Sequence, residues 1–318
     1  MLCQNLILFQ LVKSLEKGRR IKMEVIYFLA TDGIKLDGLL YTSKNKTEDI
    51  ILSIHGMGSN CMKKRETTMA KLANENNIDY FCFNNRGSEL VKYTRRYTQG
   101  KREKTLGGTS YEDVLEGYED ITGAIIKLKE LGYKNIYLQG HSLGCTKIVY
   151  TYNELKDEQD DMVNNIKGII LNSLIDIPRA LKVYLRDNFD KYLTYAEEKE
   201  KNGQGNELMP EEAFIHPISV KTFLRYARDY QDINFANFGE DKELKKLNNI
   251  DVPLFMRWGN VNEMIVQMPE ELVDIVNNII TNPNKDIYYI DGANHSYEGK
   301  EEELAKQVIA FIKDKIMC

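Results

Sequence analysis

Residues 140–144 read GHSLG, a serine with a glycine two positions away on each side. The stretch lies where an extended apolar run, NIYLQ, meets one with helical spacing, LGCTKIVYTYNEL. A strand-to-helix turn that sharp admits only small residues at the glycine positions, and it projects the serine hydroxyl above the sheet in a strained conformation. Ser142 is therefore the candidate nucleophile for acyl transfer. Its expected base is a histidine, and the chain has four. His55 and His141 lie in tight turns and His216 in a long insertion, which leaves His295, in DGANHSYEG after the last strand. HGMGSN (55–60) follows the apolar strand IILSI, and its glycines let backbone approach a reacting carbonyl. The N–H groups of Met57 and Leu143 are the candidate oxyanion donors.

Positioning these residues requires a rigid frame, and the pattern supplies one. EVIYFLA and KLDGLLY flank TDG as a hairpin; IILSIHG, DYFCFNNRG, NIYLQGHS, GIILNSL, VPLFMRWG and KDIYYIDG read as further strands. Helical stretches fall between them, among them SYEDVLEGYEDITGAIIKLKELG with Ser110 as its expected N-cap. Strands alternating with helices imply an α/β protein with a mostly parallel sheet covered on both faces. Residues 177–250 break the alternation. They hold helical stretches around the turn-rich NGQGNELMP and read as a structured insertion rather than a loop.

In order along the chain, H-G (55–56), R-G (86–87), G-H-S-x-G (140–144) and G-A-x-H (292–295) resemble the signals of the α/β-hydrolase superfamily, from about Met23 to the C-terminus. NNRGSE, GHSLGCTK and HPISVKTFL are similar to a branch that includes fungal siderophore esterases, which suggests esters of hydroxy acids as substrates. The resemblance implies an eight-stranded sheet with a helical cap, residues 177–250, between strands 6 and 7 over a core of 23–176 and 251–318. It also implies an acid after the seventh strand as G-x-x-D. The matching residues are Gly259, Asn260, Val261 and Asn262, so an amide stands at the acid position. Asparagine can fix the tautomer of a histidine but cannot neutralise an imidazolium. Three residues remain open as the partner of His295: Asp176, just after the sixth strand, Glu263 and Asn262 itself.

The expected function is that of a serine hydrolase of the carboxylesterase type, acting on a small-molecule ester with no cofactor and no metal. A thioesterase, acyltransferase or peptidase would use the same machinery. The rival is a degenerate, non-catalytic binder that has lost its acid. A net charge of −5 argues against general nucleic-acid binding. No apolar run approaches the roughly 18 residues of a membrane span, and five cysteines without a C-x-x-C pair suggest reduced thiols in the cytoplasm. KYTRRYTQGKREK (92–104) reads as a solvated loop or as a basic lip for an anionic substrate. Tyr184, Tyr192, Tyr195, Phe223, Tyr226 and Tyr230 line an acyl pocket or, as their spacing favours, pack cap on core. KGRRIKM is encodable as a purine-rich ribosome-binding site before a start codon, so Met23 is the expected first residue and 1–22 a non-native or disordered extension.

Overall fold

A computed structural model describes residues 22–228, 236, 238 and 243–317. The expectations for residues 1–21 and for Tyr230 lie outside them.

In chain order, β1 (Lys22–Leu29) and β2 (Lys35–Thr42) form the expected antiparallel hairpin. β3 (Asp49–Ile54), α1 (Lys64–Glu75) and β4 (Asp79–Asn84) make the first crossover unit. β5 (Lys92–Thr98) and β6 (Lys101–Gly107) stand apart from the main sheet. Then follow α2 (Gly117–Glu130), β7 (Asn135–His141), α3 (Leu143–Asp157) and β8 (Ile166–Asn172). The insertion carries α4 (Ile177–Leu185), α5 (Phe189–Lys201), α6 (Val220–Ala227) and the short α7 (Lys245–Asn248). The chain finishes with β9 (Leu254–Gly259), α8 (Pro269–Ile279), β10 (Lys285–Ile290) and α9 (Glu301–Lys315).

Eight strands form one sheet in the order β1-β2-β4-β3-β7-β8-β9-β10, antiparallel at β1–β2 and β2–β4 and parallel from β4 onward. Alternation within the strands feeds two cores. Leu52 and Ile54 pack with Ile121, Ile125 and Ile148 on one face, and Ile51 and Tyr80 pack with Met69, Leu304 and Val308 on the other. Because the central strands are parallel, their carboxyl ends share one edge. The loops after β3, β7 and β10 there deliver Gly56, Ser142 and His295.

Two expectations are corrected. Residues 92–104 belong to a β-hairpin, β5–β6, turning through Gln99 and Gly100, both at positive φ as a tight two-residue hairpin turn requires. The hairpin leans away from the site: Arg96 bridges Ile34 and pairs with Asp32, and the Tyr97 amide donates to the Gly33 carbonyl at 2.8 Å. Ser110 caps no helix. It is buried, its hydroxyl donates to the Pro217 carbonyl at 2.5 Å, and the Ser219 amide donates back to its carbonyl at 2.8 Å. That reciprocal pair, with Thr222 Oγ1 donating to the Glu112 carbonyl, ties the insertion to the core.

Candidate active site

The turn between β7 and α3 has the sterics its sequence requires. Ser142 sits at φ 54°, ψ −124°, outside the regions side chains normally occupy. A Cβ on Gly144 would lie 2.2 Å from the Ile54 carbonyl oxygen, and one on Gly140 would lie 2.7 Å from the Cys145 amide nitrogen. Gly56 approaches from β3, where a Cβ would meet the Ser142 Cβ at 2.9 Å. Glycine at these positions lets three backbone segments meet at one side chain.

Around Ser142 opens a cavity of ≈ 520 Å³, lined also by Gly56, Met57 and His295. Among the described residues the amides of Met57 and Leu143 donate to no protein acceptor. Ser142 Oγ makes no direct hydrogen bond to the His295 imidazole here; such contacts often tighten only with substrate bound.

The Nδ1 of His295 is hydrogen-bonded to Oε1 of Glu263. The Glu263 side chain is 2% exposed, and Oε1 also accepts from the Met264 amide. Its Oε2 accepts from the Ser173 hydroxyl at 2.8 Å and from the Gly259 amide at 2.9 Å. Burial alone would raise this carboxyl, but the His295 contact, the Gly259 amide and the Ser173 hydroxyl outweigh it and hold Glu263 below the usual glutamate range.

Of the three residues left open by the sequence, the structure brings only Glu263 to the histidine. Asn262 is exposed at φ 49°, a left-handed conformation that asparagine tolerates well. It turns the chain so that the next residue points inward. Asp176 is the N-cap of α4, accepting from the Arg179 amide at 3.2 Å, with Pro178 in the first turn.

Several supports had no signal in the sequence. The ring of His141, kept neutral by burial, donates from Nε2 to the His295 carbonyl at 2.7 Å. Tyr297, at φ 58°, donates its hydroxyl to the Arg257 carbonyl at 2.9 Å. Together with Ser173 these contacts fix the His295 loop. His55 is also buried and depressed to about 3, mainly by burial; the Asn85 amide donates to its Nε2 at 3.2 Å, so it shapes the turn. Asp291 is held by Asn260 Nδ2 at 2.8 Å and is a turn residue.

The insertion supplies most of the apolar wall, with Ile177, Leu181, Tyr184 and Phe214 lining the cavity beside Ile175 of the core. Of the expected aromatics that are described, only Tyr184 reaches it. Tyr192, Phe223 and Tyr226 are buried in a cluster that joins the insertion to Val114 and Leu143 of the core, with Tyr195 packed against it, as the spacing favoured. No residue of 92–104 lines the cavity, so the basic-lip reading loses its geometric footing.

A family model described as "Protein of unknown function (DUF1749)" matches residues 108–313, more than half of the chain. The chain belongs to this family. A search of curated proteins found no match. Among solved structures it is similar to the α/β hydrolase GrgF from Penicillium sp. sh18, with TM-score 0.66, 14% identity, and 94% of this chain and 100% of that one covered. It is similar to a thermostable carboxyl esterase from Bacillus coagulans, with TM-score 0.64, 13% identity, and coverage of 93% and 99%. It is also similar to Est1E from Butyrivibrio proteoclasticus, whose structure holds ferulic acid, with TM-score 0.59, 16% identity, and coverage of 91% and 98%. These likenesses are of fold: the chain has the α/β-hydrolase fold, which esterases share.

Proposed function

We propose that this protein is a serine hydrolase that cleaves a carboxylic ester through an acyl-enzyme on Ser142. The observation that carries the reading is the buried Glu263 carboxylate on His295 Nδ1, at the cavity where Ser142 sits on a strained elbow. In this scheme Ser142 Oγ attacks the ester carbonyl carbon while its proton passes to His295 Nε2. The Met57 and Leu143 amides hold the oxyanion, an effect worth about 2.7–4 kcal/mol per donor. His295 then gives the proton to the departing alkoxide, and water reverses the sequence to free the acid. Glu263 keeps Nδ1 protonated and stabilises the imidazolium. Residues 177–250 act as a cap whose apolar side chains receive the non-reacting part of the substrate.

The degenerate-binder reading rested on the missing acid, and Glu263 removes that support. A pre-steady-state experiment tests the proposal. Mixing the protein with excess 4-nitrophenyl acetate is expected to release a burst of nitrophenol stoichiometric with protein, with an acetyl group on Ser142 by peptide mass. Nitrophenol release with no acylated Ser142 would contradict it.

A further inference from the structure

One wall of the cavity carries three basic side chains, Lys63, Lys64 and Arg65, whose chemistry has no role in ester cleavage itself. Arg65, the second residue of α1, lines the cavity yet is only 5% exposed. Its Nη2 donates to Glu66 Oε1 at 2.9 Å. Its Nε is buried without an acceptor, and among the described residues Nη1 donates to no protein atom. Glu66 takes only one corner of the guanidinium, since its other oxygen accepts from the hydroxyls of Ser53 and Tyr80. Glu66 therefore anchors Arg65 at Nη2 and leaves Nε and Nη1 of this cavity-lining residue without an acceptor among the described residues. Lys63 stands beside it with no ion pair among the described residues, while Lys64 pairs with Glu301 at 3.1 Å. The other acidic lining residue, Glu298, accepts from Asn294 Nδ2 at 3.3 Å.

A wholly apolar ester filling this cavity would strip water from Arg65 and offer it no acceptor, a costly arrangement for a buried donor. A carboxylate would satisfy it with a charge-assisted hydrogen bond. We propose that the substrate is an ester carrying a second, free carboxyl group. That group is seated on Arg65 with Lys63 near it, while the hydrophobic remainder lies against Ile177, Leu181 and Phe214. The proposal rests on reading Ser142 as the acylated residue and narrows the substrate class of that site.

The test compares mono-4-nitrophenyl adipate with its uncharged counterpart, 4-nitrophenyl hexanoate, after subtracting spontaneous hydrolysis. The wild type is expected to prefer the adipate in kcat/KM, and Arg65→Met to lower that preference about tenfold. The preference should persist in 0.5 M NaCl, where an exposed cationic surface would be screened. Free adipate should bind the wild type in calorimetry and bind Arg65→Met about tenfold more weakly, a readout that needs no turnover. Acylation of Ser142 without preference for the adipate, or a preference unchanged in Arg65→Met, would overturn the carboxylate site and leave the hydrolase reading standing. Adipate binding that depends on Arg65, in a protein whose Ser142 is never acylated, would keep the anion site and sink the hydrolase reading. If Arg65→Met does not fold, failure of adipate to bind the wild type overturns the proposal alone.

Discussion

Ser142→Ala and His295→Ala are each expected to lower kcat for a 4-nitrophenyl ester by about a million-fold, and the double variant to lose little more. The non-additivity follows from the roles. Without the hydroxyl there is no acyl-enzyme for His295 to serve, and without the imidazole the hydroxyl keeps its proton. Residual turnover well above the uncatalysed rate would persist, because the Met57 and Leu143 amides and the apolar wall remain. Both variants should fold, since Ser142 and His295 line a cavity rather than the packed core. Steady-state kinetics against a folded control checks the result.

The second large effect is at Glu263. Glu263→Gln is expected to lower kcat by about a thousand- to ten-thousand-fold, since an amide can accept the Nδ1–H but cannot balance the imidazolium that forms. Asn262→Gly and Asp176→Asn should each change kcat by no more than a few-fold, because glycine keeps the left-handed turn and asparagine keeps the cap. A loss at Asp176→Asn as large as at Glu263→Gln would contradict the assignment. Stability carries the same signature. The Glu263 carboxyl is held below its ordinary range in the fold, so its contribution is present above the unfolded value and is lost as pH falls through the folded one. Glu263→Gln should flatten that part of the acid limb in pH-dependent thermal unfolding.

The elbow was legible because steric necessity writes itself into residue type: Gly140 and Gly144 face backbone at distances no side chain tolerates. The frame was legible because two-fold and helical periodicities alternate along most of the chain. The partner of His295 was legible only as one of three residues, because the motif counts positions while the backbone counts turns. The left-handed step at Asn262 moves the inward-pointing position by one residue, to Glu263. The same gap hid the β5–β6 hairpin, whose charged residues obscured alternation and whose Gln99–Gly100 turn was the signal to read. Arg65 gave no signal at all. A lysine- and arginine-rich helix start, KKRE, normally lies in solvent, and only the packing that buries Arg65, with Glu66 held by Ser53 and Tyr80, reveals a buried guanidinium at the cavity.

The most direct measurement of the central claim is fluorophosphonate labelling of the purified, folded protein, read by peptide mass. The account predicts one adduct, on Ser142, absent from Ser142→Ala and strongly slowed in His295→Ala and Glu263→Gln. A folded wild type that remains unlabelled by a probe small enough to enter the ≈ 520 Å³ cavity would contradict it.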